Sequence, residues 1–171
     1  MMAEPAPRRW RALLRDGRWG MVALQGFLFL AVAITAILPA PGGTWPTSLA
    51  ISLALVLVGA AGVLWTGRSL GGSLTPSPVP NGEGMVAAGL YRWMRHPMYT
   101  ALDLICLGVA VGSGKWTCYV AVAALCAFFE VKTRAEEGYL REAYPGYAQY
   151  AARTGKFLPG IGRARASTRL R

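Results

Sequence analysis

Long apolar runs separated by short polar connections dominate the pattern of this chain. The first two runs, residues 21–38 and 47–66, contain 18 and 20 residues and no charged side chain. Each run, as a helix, is long enough to cross a hydrocarbon core of about 30 Å. The backbone must satisfy its own hydrogen bonds there, so the pattern predicts two transmembrane helices.

The third apolar stretch is interrupted by a glycine-containing turn. Residues 97–112 and 116–131 flank this turn, and each segment of 16 residues contains one acid, Asp103 or Glu130. Two antiparallel helices in a tight hairpin fit this pattern. A re-entrant hairpin is the alternative, because 16 residues are short for a full span. We therefore predict an all-α integral membrane protein with about four transmembrane helices and a cytoplasmic C-terminal helical segment.

The basic residues are distributed unevenly between the connections. All but one of the 18 lysines and arginines precede residue 21, lie between residues 67 and 96, or follow residue 131. The positive-inside rule then places both termini and the central loop in the cytoplasm. The net charge of +10 is explained by this topology, so we expect no nucleic-acid partner. The arginine-rich and alanine-rich composition suggests a bacterial inner membrane.

The positions of the apolar and basic residues divide the chain into one domain and two tails. We divide the chain into a basic N-terminal tail (1–20), a single membrane domain (21–159) and a basic C-terminal tail (160–171). The tails are expected to contact anionic lipid, and the Pro/Gly-rich residues 71–84 to form an irregular loop. Three cysteines and one histidine are too few for a His/Cys metal site, so no metal is predicted.

The first polar cluster is "RWMRHPMYTA", residues 92–101. Pro97 suits the first position of a helix, where its missing N–H has no cost. Arg95 and His96 would then lie at the cytoplasmic membrane surface. Tyr99 and Asp103 are four residues apart and share one face of the predicted helix. An intramembrane acid usually faces a protein interior or a cavity.

The second polar cluster follows the fourth apolar segment. Glu130, Arg134 and Glu137 have the spacing of one helical face, and this helix is predicted to end before Pro145-Gly146. A short helix from Tyr147 to Arg153 would follow. Both clusters emerge on the same predicted side of the membrane, so we expect them to form one site.

The two clusters together carry a resemblance to a known family. "RHPMYTA", followed by "RAEEGYL" and "YPGYAQYAARTGKFLP", resembles the isoprenylcysteine carboxyl methyltransferases over about residues 89–159. Members are integral membrane enzymes that use S-adenosylmethionine, and phospholipid N-methyltransferases share their architecture. The resemblance implies cofactor contacts by His96, Pro97, Tyr99, Glu136, Glu137, Tyr147 and Tyr150. Asp103 departs from the family pattern and would contact either the cofactor or a neighbouring helix.

The chemistry of methyl transfer gives the arginines a role. A carboxylate acceptor is already nucleophilic and needs a cation to orient it, for which guanidinium groups are suited. An amine acceptor needs a base instead, and Glu137, Glu130 or His96 would serve. The arginines favour carboxyl O-methylation of a lipophilic acceptor that enters from the bilayer, with catalytic roles for Arg95, Arg134 and Arg153. The alternatives are phospholipid N-methylation, thiol S-methylation and a non-enzymatic membrane scaffold.

Overall fold

Each apolar run of the sequence forms a helix. The computed structural model describes residues 18–41, 43–71 and 85–164. In these ranges the helices are α1 (Arg18–Ile37), α2 (Leu49–Leu70), α3 (Pro97–Ser113), α4 (Trp116–Ala143) and α5 (Tyr147–Arg153), with a 3₁₀ helix at Gly89–Arg92. No β-strand occurs in the described ranges. The prediction of an all-α protein is confirmed, as are the helix start at Pro97 and the bounds of α5.

The helices have the length and the outer surface of a membrane protein. α1, α2 and α4 are long and apolar enough to cross a bilayer, whereas α3 has 17 residues. Large apolar side chains face outward, among them Phe27 with 64% and Leu57 with 66% of its surface exposed. The chain is therefore an integral membrane protein. The predicted loop and most of both basic tails fall in residues 1–17, 72–84 and 165–171, outside the described residues.

α2 and α3 pack closely because small residues line their contact. A Cβ atom on Gly59 would lie 2.7 Å from the carbonyl oxygen of Ala101, and one on Gly108 would lie 2.9 Å from that of Ser52. The Ser52 hydroxyl donates a hydrogen bond of 2.8 Å to the Gly108 carbonyl. Apolar area drives little association between helices in lipid, so such close contacts and hydrogen bonds hold the pair together.

At the end of the molecule remote from the two polar clusters, Lys115 bonds to the C-terminus of α1. Its ammonium group donates to the carbonyls of Ala36, Ile37 and Leu38 at 2.7, 2.9 and 2.8 Å. These carbonyls lie at the C-terminus of α1, where a helix has unpaired acceptors and a partial negative charge. Lys115, the one lysine or arginine outside the three basic regions of the sequence, thus fixes α1 to the α3–α4 turn.

The chain beyond α5 returns to the start of α3. The backbone N–H groups of Arg95 and His96 donate to the Lys156 carbonyl at 3.1 and 3.0 Å. The Thr100 hydroxyl donates to the Phe157 carbonyl at 2.7 Å. Gly155 is needed in this turn, since a Cβ there would clash with the Leu158 carbonyl. Residues 154–162, which we call the C-terminal strap, therefore cover the N-terminus of α3.

Gly108→Ala tests the close contact between α2 and α3. Its Cβ would overlap Val56 and Ser52, so we expect a loss of about 1–3 kcal/mol in the free energy of unfolding, measured by thermal unfolding in detergent. Gly26→Ala is the matched control, because a Cβ on Gly26 meets nothing within 4 Å. Equal melting temperatures for the two variants would contradict the packing.

Candidate functional site

A buried ion pair joins the two polar clusters. Arg95 Nε donates to Glu137 Oε1 at 2.8 Å, and only 3% and 7% of the two side chains are exposed. The other guanidinium nitrogens donate to backbone carbonyls of the C-terminal part: Ala151 (3.0 Å), Thr154 (2.6 Å) and Gly162 (3.0 Å). Four of the five N–H groups of Arg95 are thereby used.

His96 contacts the same carboxylate. Its Nε2 lies 3.2 Å from Glu137 Oε1, and its Nδ1 lies 4.0 Å from Glu136 Oε2. An ionised carboxylate only accepts hydrogen bonds, so Nε2 carries the proton in this contact. The imidazole is buried between two rings, with centroids 5.8 Å from Tyr99 and 5.9 Å from Phe157. The expected meeting of the histidine with the two glutamates is confirmed.

Glu136 is the more accessible of the two carboxylates. The Tyr99 hydroxyl donates to Glu136 Oε2 at 3.1 Å. The Glu136 side chain is 25% exposed, against 7% for Glu137. Glu137 is further engaged by Arg141, whose Nη2 donates to Oε2 at 2.9 Å. Glu137 is therefore enclosed by its partners in the interior, whereas the Glu136 carboxylate is partly open to the surroundings.

The three arginines assigned to catalysis are not brought together. Arg95 is buried, as described, whereas the Arg134 side chain is 74% exposed and pairs with Glu130 at 2.8 Å. Arg153 is exposed at the end of α5. The stripe expected from the helical spacing is present in the Glu130–Arg134 pair, but the Glu137 side chain, three residues further on, is buried against Arg95 while Arg134 stays at the surface. Glu130 also forms an ion pair with Lys156, whose Nζ lies 2.7 Å from Glu130 Oε2.

The two tyrosines of α5 that the sequence predicted for the site pack against each other, and one of them bonds to the 3₁₀ helix. Tyr147 is 1% exposed, and its ring centroid lies 5.8 Å from that of Tyr150. The Tyr150 hydroxyl donates to the Tyr91 carbonyl at 2.7 Å. Burial raises the pKa of Tyr150 to about 12 and raises the pKa of Tyr147 as well. Both hydroxyls are therefore neutral near pH 7. That of Tyr150 ties α5 to the 3₁₀ helix, whereas the buried Tyr147 hydroxyl has no hydrogen-bond partner among the described residues.

Pro97 and Asp103 both lie in α3. Pro97 is buried at the first turn of the helix. Asp103 lies one turn deeper than Tyr99 in α3. Its Oδ1 has no hydrogen-bond partner among the described residues. Both roles expected for Asp103, a contact with the cofactor or with a neighbouring helix, stay predictions.

Sequence reasoning missed two polar residues beside the site. Lys132 is 1% exposed, and its Nζ donates to Gln25 Oε1 of α1 at 2.6 Å. The signal was available, because Lys132 precedes Glu136 by one helical turn and Gln25 interrupts an otherwise apolar run. α1 therefore contributes a polar side chain to the region around Tyr99 and Glu136.

Comparison with protein families gives one match. Residues 47–146 match the model of the phospholipid methyltransferase family, which is more than half of the chain. The matched region includes α2, the α3–α4 hairpin and the polar side chains just described, except Gln25 and those of α5 and the C-terminal strap. The family consists of membrane methyltransferases related to the isoprenylcysteine carboxyl methyltransferases.

Two relatives share parts of the sequence. The cobalt-zinc-cadmium resistance protein CzcN of Cupriavidus metallidurans is 30% identical over 123 residues, which are 70% of this chain and 53% of that protein. An uncharacterized protein of Schizosaccharomyces pombe is 38% identical over 87 residues, which are 47% of this chain and 25% of that protein. The chain thus spans about half the length of the first relative and a quarter of the second.

Arg95→Lys tests the buried ion pair. Lysine cannot reproduce the planar fork of donors to Glu137 and the strap, so we expect a loss of about 3 kcal/mol in the free energy of unfolding, measured by thermal unfolding in detergent. Limited proteolysis should then cut residues 154–162 faster. Arg134→Lys is the matched control: its ion pair is also 2.8 Å long but exposed, and we expect a change below about 1 kcal/mol. Equal losses would contradict the assignment.

Proposed function

The chain belongs to the phospholipid methyltransferase family, and we propose that it transfers a methyl group from S-adenosylmethionine to a lipophilic acceptor. The observation that carries this proposal is the position of Glu136. This accessible carboxylate is hydrogen-bonded to Tyr99 and sits beside the buried His96–Glu137–Arg95 network. The network lies where the apolar α3–α4 hairpin meets the C-terminal strap, so a lipid acceptor would reach it without leaving the bilayer.

The residues present fit the chemistry of the proposed cofactor. S-adenosylmethionine carries an ammonium group, ribose hydroxyls, a flat base and a sulfonium. The Glu136 carboxylate, 25% exposed, suits the ammonium or the ribose hydroxyls as a charged acceptor. The Phe157 ring, next to His96, suits the base by stacking. The Tyr99 ring, by contrast, is already stacked on Phe129 and faces the Lys132 ammonium. When bound, the cofactor supplies an electrophilic methyl group together with its leaving group.

The protein's own contribution is to hold the cofactor and the acceptor in position and to exclude water. Arg95, His96 and Arg141 donate three hydrogen bonds to Glu137, which fixes the end of α4 against the start of α3. Tyr99 orients Glu136 from the neighbouring helix. Methyl transfer depends on the alignment of donor and acceptor, so groups held this rigidly supply much of the catalysis. Partial burial strengthens each electrostatic contact within the site.

The geometry favours an amine as the acceptor. An amine is protonated at neutral pH and must lose a proton before its nitrogen attacks; the unprotonated Nδ1 of His96, 4.0 Å from Glu136 Oε2, would accept it. Carboxyl O-methylation, which the sequence favoured, is the second candidate and rests on the family resemblance. Its support from arginines is smaller than expected, because Arg95 has one N–H left and the side chain of Arg134 is largely exposed. Arg95 is better assigned to positioning than to the acceptor.

Binding of S-adenosylmethionine to the detergent-solubilised chain tests the cofactor. We expect calorimetry to detect binding below about 1 mM, and His96→Ala, Glu137→Ala and Glu136→Gln to weaken it at least about tenfold. Glu142→Ala is the control, since Glu142 is exposed on the same helix. Glu136→Gln keeps the test valid if Glu137→Ala fails to fold. An absence of binding by the unaltered chain at about 1 mM would overturn the proposal.

Transfer of a labelled methyl group tests the acceptor. The chain is incubated in bilayers of total membrane lipid, which include phosphatidylethanolamine, with methyl-labelled S-adenosylmethionine, and the products are analysed by mass spectrometry. We expect base-stable label on the head-group nitrogen, because the unprotonated nitrogen of His96 can act as the base. Base-labile label on a carboxylic lipid would instead identify carboxyl O-methylation. Label on a thiol would identify S-methylation, and absence of label in total membrane lipid would favour a non-enzymatic role.

A further inference from the structure

Lys132 is a buried cation at the junction of three helices. Its Nζ donates to Gln25 Oε1 of α1 at 2.6 Å and lies 5.3 Å from the centroid of the Tyr99 ring of α3. Lys132 itself belongs to α4 and is 1% exposed. A lysine near the end of a membrane helix ordinarily extends its ammonium group toward water. This side chain turns inward instead, where a charge is costly unless it has partners.

The partners of Lys132 belong to the proposed site. Glu136 follows Lys132 by one helical turn on α4, close enough for electrostatic attraction between the two. The same Glu136 accepts the hydrogen bond of Tyr99, whose ring the ammonium group faces. Lys132 therefore lies behind the Tyr99–Glu136 pair and contacts or attracts both of its members.

We propose that Lys132, anchored by Gln25, is a positioning residue that holds the Tyr99–Glu136 pair in its ligand-binding geometry. Its positive charge attracts the Glu136 carboxylate, and its contact with the Tyr99 ring fixes the hydroxyl that orients this carboxylate. Gln25 fixes the ammonium group in turn. α1, which lies outside the matched region 47–146, thereby becomes part of the functional unit. This inference rests on the proposed function of the site.

A purely structural role is the competing explanation, in which Lys132 only attaches α1 to α4. The molecule offers a matched control for it. Lys115 also donates to oxygens of α1, the carbonyls of Ala36, Ile37 and Leu38, but at the opposite end of the helix. Loss of Lys115 should weaken the attachment of α1 without reaching Glu136.

The experiment measures the Kd of S-adenosylmethionine by calorimetry for Lys132→Met, Glu136→Gln, their double variant and Lys115→Met. We expect Lys132→Met alone to raise Kd about tenfold relative to the unaltered chain. When Glu136→Gln is already present, adding Lys132→Met should raise Kd by less than about twofold, because Lys132 acts through Glu136. Lys115→Met should lower the melting temperature and leave Kd unchanged. Gln25→Leu should raise Kd about threefold, and it carries the test if Lys132→Met does not fold.

Two results would overturn the inference: an unchanged Kd in Lys132→Met and Gln25→Leu, or an equal rise of Kd in Lys115→Met. If the unaltered chain binds no cofactor, the proposed function fails, and the positioning role is then judged by thermal unfolding. Lys132→Met and Glu136→Gln should have non-additive effects on the melting temperature, since the two groups interact. Additive effects would refute the link between Lys132 and Glu136.

Discussion

The guanidinium group of Arg95 is the interaction on which the candidate site depends. It binds Glu137 at the end of α4 and the carbonyls of Ala151, Thr154 and Gly162 in the part of the chain that follows. The end of α4, α5 and the C-terminal strap, all at least 42 residues from Arg95 in sequence, are thereby fixed around the N-terminus of α3. Removal of a charge from water is tolerated only where its hydrogen-bonding groups find partners. The five-donor fork of arginine meets that condition here, which a lysine at this position would not.

The balance of buried charges explains how an apolar bundle holds such a site. Glu137 is compensated by Arg95 and Arg141, and Glu136 has Lys132 one helical turn away. Lys132 and Arg141 belong to α4, and Arg95 lies in the connection just before α3. A membrane fold brings this network next to lipid, which is the medium of a lipophilic acceptor. The remote end of the bundle, held by Lys115, has only a structural part in this arrangement.

Local rules predicted much of the fold and the central contact of the site. Pro97 starts α3, Pro145-Gly146 ends α4, and the RHPMY element meets the paired glutamates as the resemblance implied. The donors of Arg95 could not be foreseen, because their acceptors are backbone carbonyls whose positions depend on the close turn at Gly155. Helical spacing alone also grouped Arg134 with Glu137. Which residue turns inward depends on the neighbouring segment, and Glu137 is the one that faces the buried Arg95.

The central claim is that the histidine and the two glutamates form one ligand site beneath the C-terminal strap. Hydrogen–deuterium exchange of the detergent-solubilised chain, with and without S-adenosylmethionine, tests it most directly, because it reports each segment separately. The account predicts slower exchange in the presence of the cofactor at residues 95–99, 132–137 and 154–158 together, with no change around Lys115. Protection confined to one of these segments, or located at the Lys115 end, would contradict a shared site.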